Sequence, residues 1–198
     1  MKKSFTPLEI KKYNEKQKFL PGFTLIELMV VIAIIGILGV VITPMVINAI
    51  EKAKVVRVIA EIDAITKAAE VYNIDTNQWP PDYDSIAATR LINGLTVNPG
   101  VAGWDGPYLK NYRPHPWQGN ISWRCQNNRA DWDNKSGCWI YLDDDRPGTS
   151  YSDNGGIIPN STMIRIDTNV DDGNLATGDV RELAATPGEL VFFVIKRY

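Results

Sequence analysis

The side chains that most often carry catalysis are scarce in this 198-residue chain, which has one histidine and two cysteines. Cys125 and Cys138 form no CxxC pair, so neither a zinc site nor a redox pair is indicated. His115 stands between two prolines without a partner motif, and we assign it no role. HExxH, GxSxG and phosphate-loop sequences are absent. We therefore expect no enzyme, although paired carboxylates of the glycoside hydrolase kind stay open because acidic residues are abundant.

Positive charge is scarce beyond the first 22 residues. Residues 1–22 hold six lysines and two glutamates, a net charge of +4. Residues 23–198 hold fifteen Lys and Arg against twenty-one Asp and Glu, a net charge of −6. A domain that binds nucleic acid is usually basic. We therefore expect no nucleic-acid partner.

Charge is also missing from a long apolar run. Residues 23–43 contain a single charged side chain, that of Glu27. A helix needs about 20 apolar residues to cross a bilayer, and a secretory apolar region is shorter, at about 7–15 residues. The preceding lysines predict a cytoplasmic N-terminus and an exported C-terminal domain. We predict a basic leader at 1–22 and a single membrane span at 23–43; the alternatives are an uncleaved anchor and a buried core helix.

Glu27 is the anomaly of this run. A carboxylate in lipid is costly and normally has a partner, yet no Lys, Arg or His lies between Phe23 and Glu51. One candidate partner is the α-amine that a cut just before Phe23 would create. In the same molecule the helix would carry Glu27 away from that amine, so a neighbouring molecule is the better source.

The stretch Gly22-Phe23-Thr24-Leu25-Ile26-Glu27 and the apolar run behind it resemble the type IV prepilin signature of pilins and pseudopilins. The resemblance covers residues 20–53, and Pro44 matches a proline of the family's long helix. It implies cleavage after Gly22 by a prepilin peptidase and methylation of the new Phe23 amine. It also implies that Glu27 contacts the Phe23 amine of an adjacent subunit as the filament assembles at the inner membrane.

A second stretch resembles the "GPYL…DPWG" region of the major pseudopilins of type II secretion. It comprises Gly106-Pro107-Tyr108-Leu109 and, further on, His115-Pro116-Trp117. His115 replaces the usual aspartate, and Gln118-Gly119 replaces the usual Gly-Asn. The tail after Ile121 is longer and more aromatic than is typical of the family. This resemblance implies minor pseudopilins and an assembly platform protein as partners.

The fold expected from these patterns is α+β and pilin-like. After Pro44, apolar residues recur at spacings of three and four, which predicts an amphipathic helix over 45–73. We expect it to continue the membrane helix, giving one long helix over 23–78, rather than to stand free on the surface. Its stripe consists of Val55, Val58, Ile62, Ile65, Ala69 and Tyr72.

Residues 79–198 are expected to form a globular domain outside the cytoplasm. Trp79-Pro80-Pro81 ends the long helix, and residues 83–95 could hold a short one. Four segments read as strands of a small antiparallel sheet laid on the helix. They are Ile121–Cys125, Cys138–Leu142, Met163–Asp167 and Glu189–Ile195.

An acidic stretch near the C-terminus is a candidate calcium site. Its oxygen-bearing side chains stand at nearly alternate positions around Gly173 and resemble an EF-hand loop with one inserted residue. The resemblance to major pseudopilins, which carry a calcium loop near the C-terminus, points the same way; the alternative is a surface loop rich in Asx turns. The candidate ligands are Asp167, Asn169, Asp171, Asp172 and Asp179. The run Asp143-Asp144-Asp145 is a weaker candidate, which we interpret as a solvated turn.

Two further expectations depend on the exported location. Cys125 and Cys138 should form a disulfide in an oxidising compartment; the alternative is two buried thiols. The six tryptophans should pack a helix-poor sheet domain; the alternative is a ligand platform.

The patterns together predict a subunit of a type II secretion-like pseudopilus. It would be held in the inner membrane with its C-terminal domain in the periplasm and would then enter a filament that supports export. The alternatives are a type IV pilin for adhesion, motility or DNA uptake, and a membrane-anchored, tryptophan-rich binding protein.

Overall fold

The computed structural model describes residues 22–84, 94–148, 153–184 and 186–196. Helix α1 comprises Leu25–Thr76, and it is the one helix in these ranges long and apolar enough to cross a membrane. Contacts divide the chain into two compact units, one ending at Met45 and the other beginning at Val46. The boundaries expected at residues 22, 43 and 78 stay predictions.

The second part of α1 carries the predicted apolar stripe. All six stripe residues are buried, and Ala68 joins them. Within the second unit this stripe packs against the sheet in one continuous core. The helix ends at Thr76, whose hydroxyl donates to Tyr72 O at 2.7 Å, and Asn77 follows with a φ of 55°. Asn adopts this left-handed conformation more readily than most residues, so the chain turns out of the helix just before Trp79-Pro80-Pro81.

Four antiparallel strands form one sheet in the order β1-β2-β4-β3. The strands are β1 (Ile121–Arg129), β2 (Lys135–Leu142), β3 (Val180–Glu182) and β4 (Leu190–Lys196). A 3-10 helix, Ala130–Trp132, joins the first two. Helix α2 (Asn160–Val170) lies between β2 and β3 in the chain. This arrangement confirms the α+β, pilin-like fold.

The sheet is buried on both faces, which the sequence analysis did not anticipate. One face presents residues such as Trp123 and Ile140 to the α1 stripe. The other face carries a second cluster of Trp132, Trp139, Tyr141 and Val191. Central strand β2 is therefore buried at six consecutive positions. An apolar run of this kind is expected of a strand covered on both sides.

The tryptophans confirm the packing interpretation. Four of the six side chains are buried, those of Trp117, Trp123, Trp132 and Trp139. The other two, Trp79 and Trp104, are partly buried against the main core. They do not form the exposed aromatic platform that a ligand-binding surface would need.

One strand prediction was wrong, and one strand was missed. Residues Met163–Asp167 lie in α2, whose buried positions Thr162, Met163, Ile166 and Asp167 follow a helical spacing rather than the period of two expected for a strand. The missed strand, β3, is a three-residue edge strand, too short for a sequence pattern. Most of the short helix considered over 83–95 lies outside the described residues.

Candidate functional site

The N-terminal end of α1 holds the predicted processing and assembly residues. Gly22 and Phe23 precede the helix, and the Phe23 side chain is 86% exposed. Glu27 lies in the first turn, where its Oε2 accepts hydrogen bonds from Thr24 N at 2.8 Å and from Thr24 Oγ1 at 2.7 Å. Thr24 Oγ1 in turn accepts from Glu27 N at 3.3 Å. Thr24 and Glu27 thus form a reciprocal capping box.

The capping box was missed in the sequence, although its signal is there. Thr24-Leu25-Ile26-Glu27 has the form T-x-x-E just ahead of an apolar run, which is the pattern of such a box. The partner expected for Glu27 from the sequence was a cation. In the single chain the carboxylate is bound instead by a hydroxyl and a main-chain N–H, which is consistent with a polar group at the edge of a membrane span.

The first half of α1 is an unusually large exposed apolar surface. Large apolar side chains from Phe23 to Ile50 are exposed, among them Ile37 at 68% and Val40 at 77%. A soluble monomer rarely exposes a contiguous patch beyond a few hundred Å². This surface therefore requires a cover, which can be lipid or other protein chains.

The two cysteines are brought together as expected. Cys125 on β1 and Cys138 on β2 are directly paired residues in the antiparallel register, with their Cα atoms 4.0 Å apart. Their sulfurs form a disulfide, which ties the first two strands together.

The C-terminal acidic stretch folds differently from an EF-hand loop. Asp167 is in the last turn of α2, and Asp171 and Asp172 follow its end. One carboxylate oxygen from each of these three residues lies within 4.8 Å of the others. We call them the acidic triad.

The other two predicted ligands bond elsewhere. Asn169 belongs to α2 and donates from Nδ2 to Arg165 O at 2.6 Å. The Asp179 carboxylate pairs with Lys135 Nζ at 2.7 Å. Asp179 contributes to the triad only through its main-chain N–H, which donates to Asp171 Oδ2.

The triad fits a hard cation in one specific respect. Asp167 is fully buried; within the described residues neither of its carboxylate oxygens accepts a well-formed hydrogen bond, although the main-chain N–H of Gly173 acts on the carboxylate. Burial, followed by the charges of Asp172 and Asp171, raises the pKa of Asp167 to about 6. A buried carboxylate without a well-formed hydrogen bond is costly, and a cation held between the three side chains would lower that cost. Calcium prefers such carboxylate oxygens.

The Asp143-Asp144-Asp145 run is not a solvated turn, and that expectation was wrong. All three residues are buried where they follow β2. The neighbouring loops bind their main chain: Asn120 N donates to Asp145 O at 2.7 Å and Gly156 N donates to Asp144 O at 2.6 Å. Burial, and then the neighbouring acids led by Glu189, raises the pKa of Asp143 to about 7.

His115, to which we assigned no role, is a buried structural residue. Its Nδ1 accepts a hydrogen bond from Trp117 N at 3.3 Å, so the ring proton lies on Nε2. From there it donates to Asp143 O at 2.8 Å. Burial lowers the pKa of His115 to about 4, which keeps the ring neutral.

The chain is similar to known proteins over about half of its length. Type II secretion system core protein G of Pseudomonas aeruginosa is 39% identical over 98 residues, which are 48% of this chain and 67% of that protein. The chain belongs to the type II secretion system core protein G family. The core protein G of Escherichia coli K12 is 32% identical over 52% of this chain and 69% of that protein. The Aeromonas hydrophila core protein G is 36% identical over 48% and 66%.

Two family models also match parts of the chain. The prokaryotic N-terminal methylation motif matches residues 22–43, and a model described as PilW, C-terminal, matches residues 49–135. The chain spans about two thirds of the length of the core protein G relatives, and about half of this chain lies outside those alignments. No solved structure matches the chain.

Proposed function

We propose that the chain is a structural, non-enzymatic subunit of a type II secretion-like pseudopilus, which assembles with copies of itself into a filament that supports protein export. The observation that carries the proposal is the exposed apolar half of α1 with the Glu27 carboxylate in its first turn. Lipid covers this surface before assembly, and the same surface of other subunits covers it in the filament. The minor pseudopilins and the assembly platform protein of the system are its expected partners.

The proposed route begins in the inner membrane, with the C-terminal domain in the periplasm. A prepilin peptidase cuts after Gly22, and the new amine of Phe23 is methylated. The exposed position of both residues ahead of the helix leaves this bond accessible. Mass spectrometry of the membrane-extracted protein should find a chain that begins with N-methylated Phe23. An intact leader in cells that possess a prepilin peptidase would contradict this route.

In the filament, we assign Glu27 to the Phe23 amine of an adjacent subunit. A carboxylate that has only neutral partners in the single chain gains a cation there, and the pair sets the register between neighbouring helices. Glu27→Ala should be inserted and cleaved but should not assemble, and Glu27→Asp should assemble in part. Glu51→Ala is the matched control, because it removes a carboxylate that pairs with Lys54 in its own chain. Filaments of normal number with Glu27→Ala, counted by electron microscopy, would rule out this contact.

Calcium is the proposed ligand of the acidic triad. Asp167, Asp171 and Asp172 would supply carboxylate oxygens, and the ion would neutralise the buried Asp167. Its role would be structural, because it would tie the end of α2 to the start of β3 through the Asp171 bonds to Asp179 N and Val180 N.

A type IV pilin is the second candidate. The feature that favours it is the half of the chain that lies outside the core protein G alignments, since an extended domain suits a filament exposed at the cell surface. Immunogold labelling of intact cells separates the two: surface filaments support the pilin, and labelling only after permeabilisation supports the pseudopilus.

A further inference from the structure

An apolar groove lies where the second part of α1, the end of α2 and strand β4 meet. Helix α1 contributes Val56, Ile59 and Ala60, α2 contributes Val170, and β4 contributes Val194. The groove has a volume of about 580 Å³, and we call it the α1–β4 groove. Val56 and Val170 are 67% and 48% exposed, so the groove is open to solvent in the single chain.

The groove is open because two neighbouring elements end early. Strand β3 pairs with β4 only from Leu190 to Phe192, and helix α2 ends at Val170. Val194 follows two residues after Phe192, has no partner in β3, and keeps a side chain that is only partly buried. This side of the core is therefore left without a cover from the described residues.

Charge is nearly absent from the α1–β4 groove. Asp63 is the single charged residue among those that line it. The Asp63 carboxylate is already paired with Lys67 Nζ at 2.6 Å. A charged group that entered the groove would lose its water without gaining an unpaired partner, which is costly. The groove therefore fits an uncharged, apolar segment.

Lipid cannot reach the groove while the apolar half of α1 lies in a membrane. Ile47 and Ile50 are the last large exposed side chains of that half. Even if the hydrocarbon extends to Ile50, Val56 lies about 9 Å and Ala60 about 15 Å further along the helix, at 1.5 Å per residue. The headgroup layer is roughly 5–8 Å thick beyond the hydrocarbon core. A cover for the groove must therefore come from protein.

The described residues offer one long apolar segment that fits. Residues 28–43 of α1 carry no charge, and their large apolar side chains are exposed. They belong to the same helix as one wall of the groove, so they cannot fill the groove of their own chain. A second copy of the chain has to supply them. Beyond Ile50, the exposed large apolar residues of the described ranges are scattered: Val56, Val71, Ile74, Val97, Ile157, Ile164 and Val170.

The α1 wall of the groove also continues an exposed apolar stripe of the helix. The stripe consists of Val46, Ile50, Ala53, Val56 and Ala60, which are all exposed. Their spacings of four, three, three and four place them along one side of α1, away from the buried stripe. The two alanines let the backbone of another helix approach closely. The stripe leads from the apolar half of α1 into the groove.

We propose that the α1–β4 groove receives residues 28–43 of α1 from a second copy of the chain. The inference rests on the proposed function, because it requires copies to assemble. The groove and residues 28–43 are different surfaces, so the contact is heterologous and can repeat along a filament.

The groove contact and the Glu27 contact involve different neighbours. Val56 stands 13 positions after residue 43, whereas Glu27 stands only four positions after Phe23. In parallel helices, the groove contact therefore needs a much larger displacement along the helix than the pairing of Glu27 with an adjacent Phe23 amine. One subunit thus contacts one neighbour through Glu27 and another through the groove.

Cross-linking between two differently tagged versions of the full chain tests the contact. One version carries Ala60→Cys in the groove, and the other carries one cysteine at a time at each position from Val30 to Ile42. The native cysteines are in a disulfide and do not compete. Oxidation of assembled filaments should join the two versions. The cross-linked positions should recur every three or four residues, because one side of the helix faces the groove.

Ala102→Cys is the matched control for Ala60→Cys. Ala102 is also exposed, but it lies beside the far end of α1, where a Cβ on the next residue, Gly103, would meet Asp75 O. It should form no cross-link with residues 30–42.

Val56→Lys tests the groove by a charge. Val56 is largely exposed in the single chain, so the thermal midpoint of the detergent-solubilised variant should be unchanged. The number of filaments counted by electron microscopy should fall about tenfold or more, because the docked helix would bury the new ammonium group. Val97→Lys makes the same change at a loop valine of similar exposure, 60%, and should assemble like the unmodified chain.

Three results would overturn the groove contact while leaving the proposed function intact. They are normal filaments without a cross-link from Ala60→Cys to residues 30–42, cross-linking no stronger than that of Ala102→Cys, and normal filament numbers with Val56→Lys. A cross-link from Ala60→Cys to a different protein in place of residues 30–42 would also overturn it. An unmodified chain that never forms filaments would refute the proposed function and the groove contact with it.

Discussion

His115 and Asp143 are joined by a hydrogen bond of 2.8 Å from the imidazole Nε2 to the main-chain oxygen. The same loop is bound to the end of β2 a second time, because Asp143 N donates to Asn120 O at 2.9 Å. The segment that resembles "DPWG" therefore holds the loop after α1 against the end of β2.

The burial of His115 predicts a loss of stability in acid. The folded-state pKa is about 4, and that of an unfolded histidine is about 6.5, so the unfolded chain binds more protons between these values. The free energy of unfolding should therefore fall as the pH decreases from about 6.5 to about 4. The contribution is up to about 3 kcal/mol. His115→Gln removes this dependence and retains a donor for Asp143 O.

Chemical denaturation of the detergent-solubilised chain at several pH values measures the effect as the difference between the two proteins. Asp143 changes the free energy of unfolding with pH in the opposite direction, because its pKa is raised to about 7. Both proteins retain Asp143, so its contribution cancels in the difference. Its charged neighbours are likewise the same in both proteins: Asp84, Asp144, Asp145, Glu189 and Arg124. Parallel stability curves would show that the ring does not titrate as expected.

Replacing Gln118 by glycine is expected to stabilise the fold. Its φ of 74° lies in the left-handed region, which costs a residue with a Cβ about 1–2 kcal/mol. Gln118→Gly should raise the free energy of unfolding by about 0.5–1 kcal/mol after the greater freedom of glycine in the unfolded chain is subtracted. Gln118→Ala is the control, since it retains the Cβ and should bring no gain; equal effects of the two would refute the strain argument.

Gly119 predicts the opposite effect. A Cβ at this position would collide with Asp143 O and with the His115 ring. Gly119→Ala should therefore destabilise the fold by about 2 kcal/mol or more, in the range of overpacked cores. Gly148→Ala is a surface control. Its added Cβ would meet no atom within 4 Å, so the only expected cost is the backbone strain that its φ of 78° imposes on alanine. An unchanged free energy of unfolding in Gly119→Ala would show that the collision contributes nothing.

The disulfide predicts a measurable loss on removal. Cys125 and Cys138 are 13 residues apart, and a closed loop of this size is worth about 3 kcal/mol on the chain-entropy model. Cys125→Ala/Cys138→Ala should lower the free energy of unfolding by that amount, and reduction of the unmodified chain should lower it similarly. Two alkylatable thiols in unreduced, denatured protein from the periplasm would contradict the bond itself.

The acidic triad predicts that calcium stabilises the fold. At 100 times its dissociation constant, a ligand that binds only the folded state adds about 2.7 kcal/mol. Thermal midpoints should therefore rise by roughly 5–11 °C for a unit of about 150 residues such as Val46–Tyr198, with chelator as the reference. Asp167→Asn should abolish the rise, whereas Asp179→Asn should retain it, because that carboxylate pairs with Lys135 instead. Equal midpoints with and without calcium, and no heat of binding, would refute the site.

Patterns that follow from a regular period were predictable from the sequence. The α1 stripe repeats at three and four residues because one face of a long helix is buried, and every predicted stripe residue is buried. The Glu27 anomaly was visible because charge is absent around it. Such signals need no knowledge of distant contacts.

The failures concern short elements and long-range contacts. Residues 163–167 fit a strand by composition, and only the packing of Met163 and Ile166 on the core selects the helix. The burial of Asp143 depends on Asn120 and Gly156, which belong to other loops. The sequence pattern alone also could not show that Asp167 and Asp171 belong to the acidic triad while the Asp179 carboxylate does not, because membership of the triad depends on where α2 ends.

The exposed apolar half of α1 has a consequence for the energetics of assembly. Lipid tails and leucine-rich helices are about equally apolar, so helices in a bilayer gain little hydrophobic free energy when they exchange one for the other. A subunit that moves from the membrane to the filament, as proposed, therefore exchanges one apolar environment for another of similar polarity. The direction of that transfer must come from polar contacts such as the one assigned to Glu27, or from mechanical work done on the subunit by the assembly machinery.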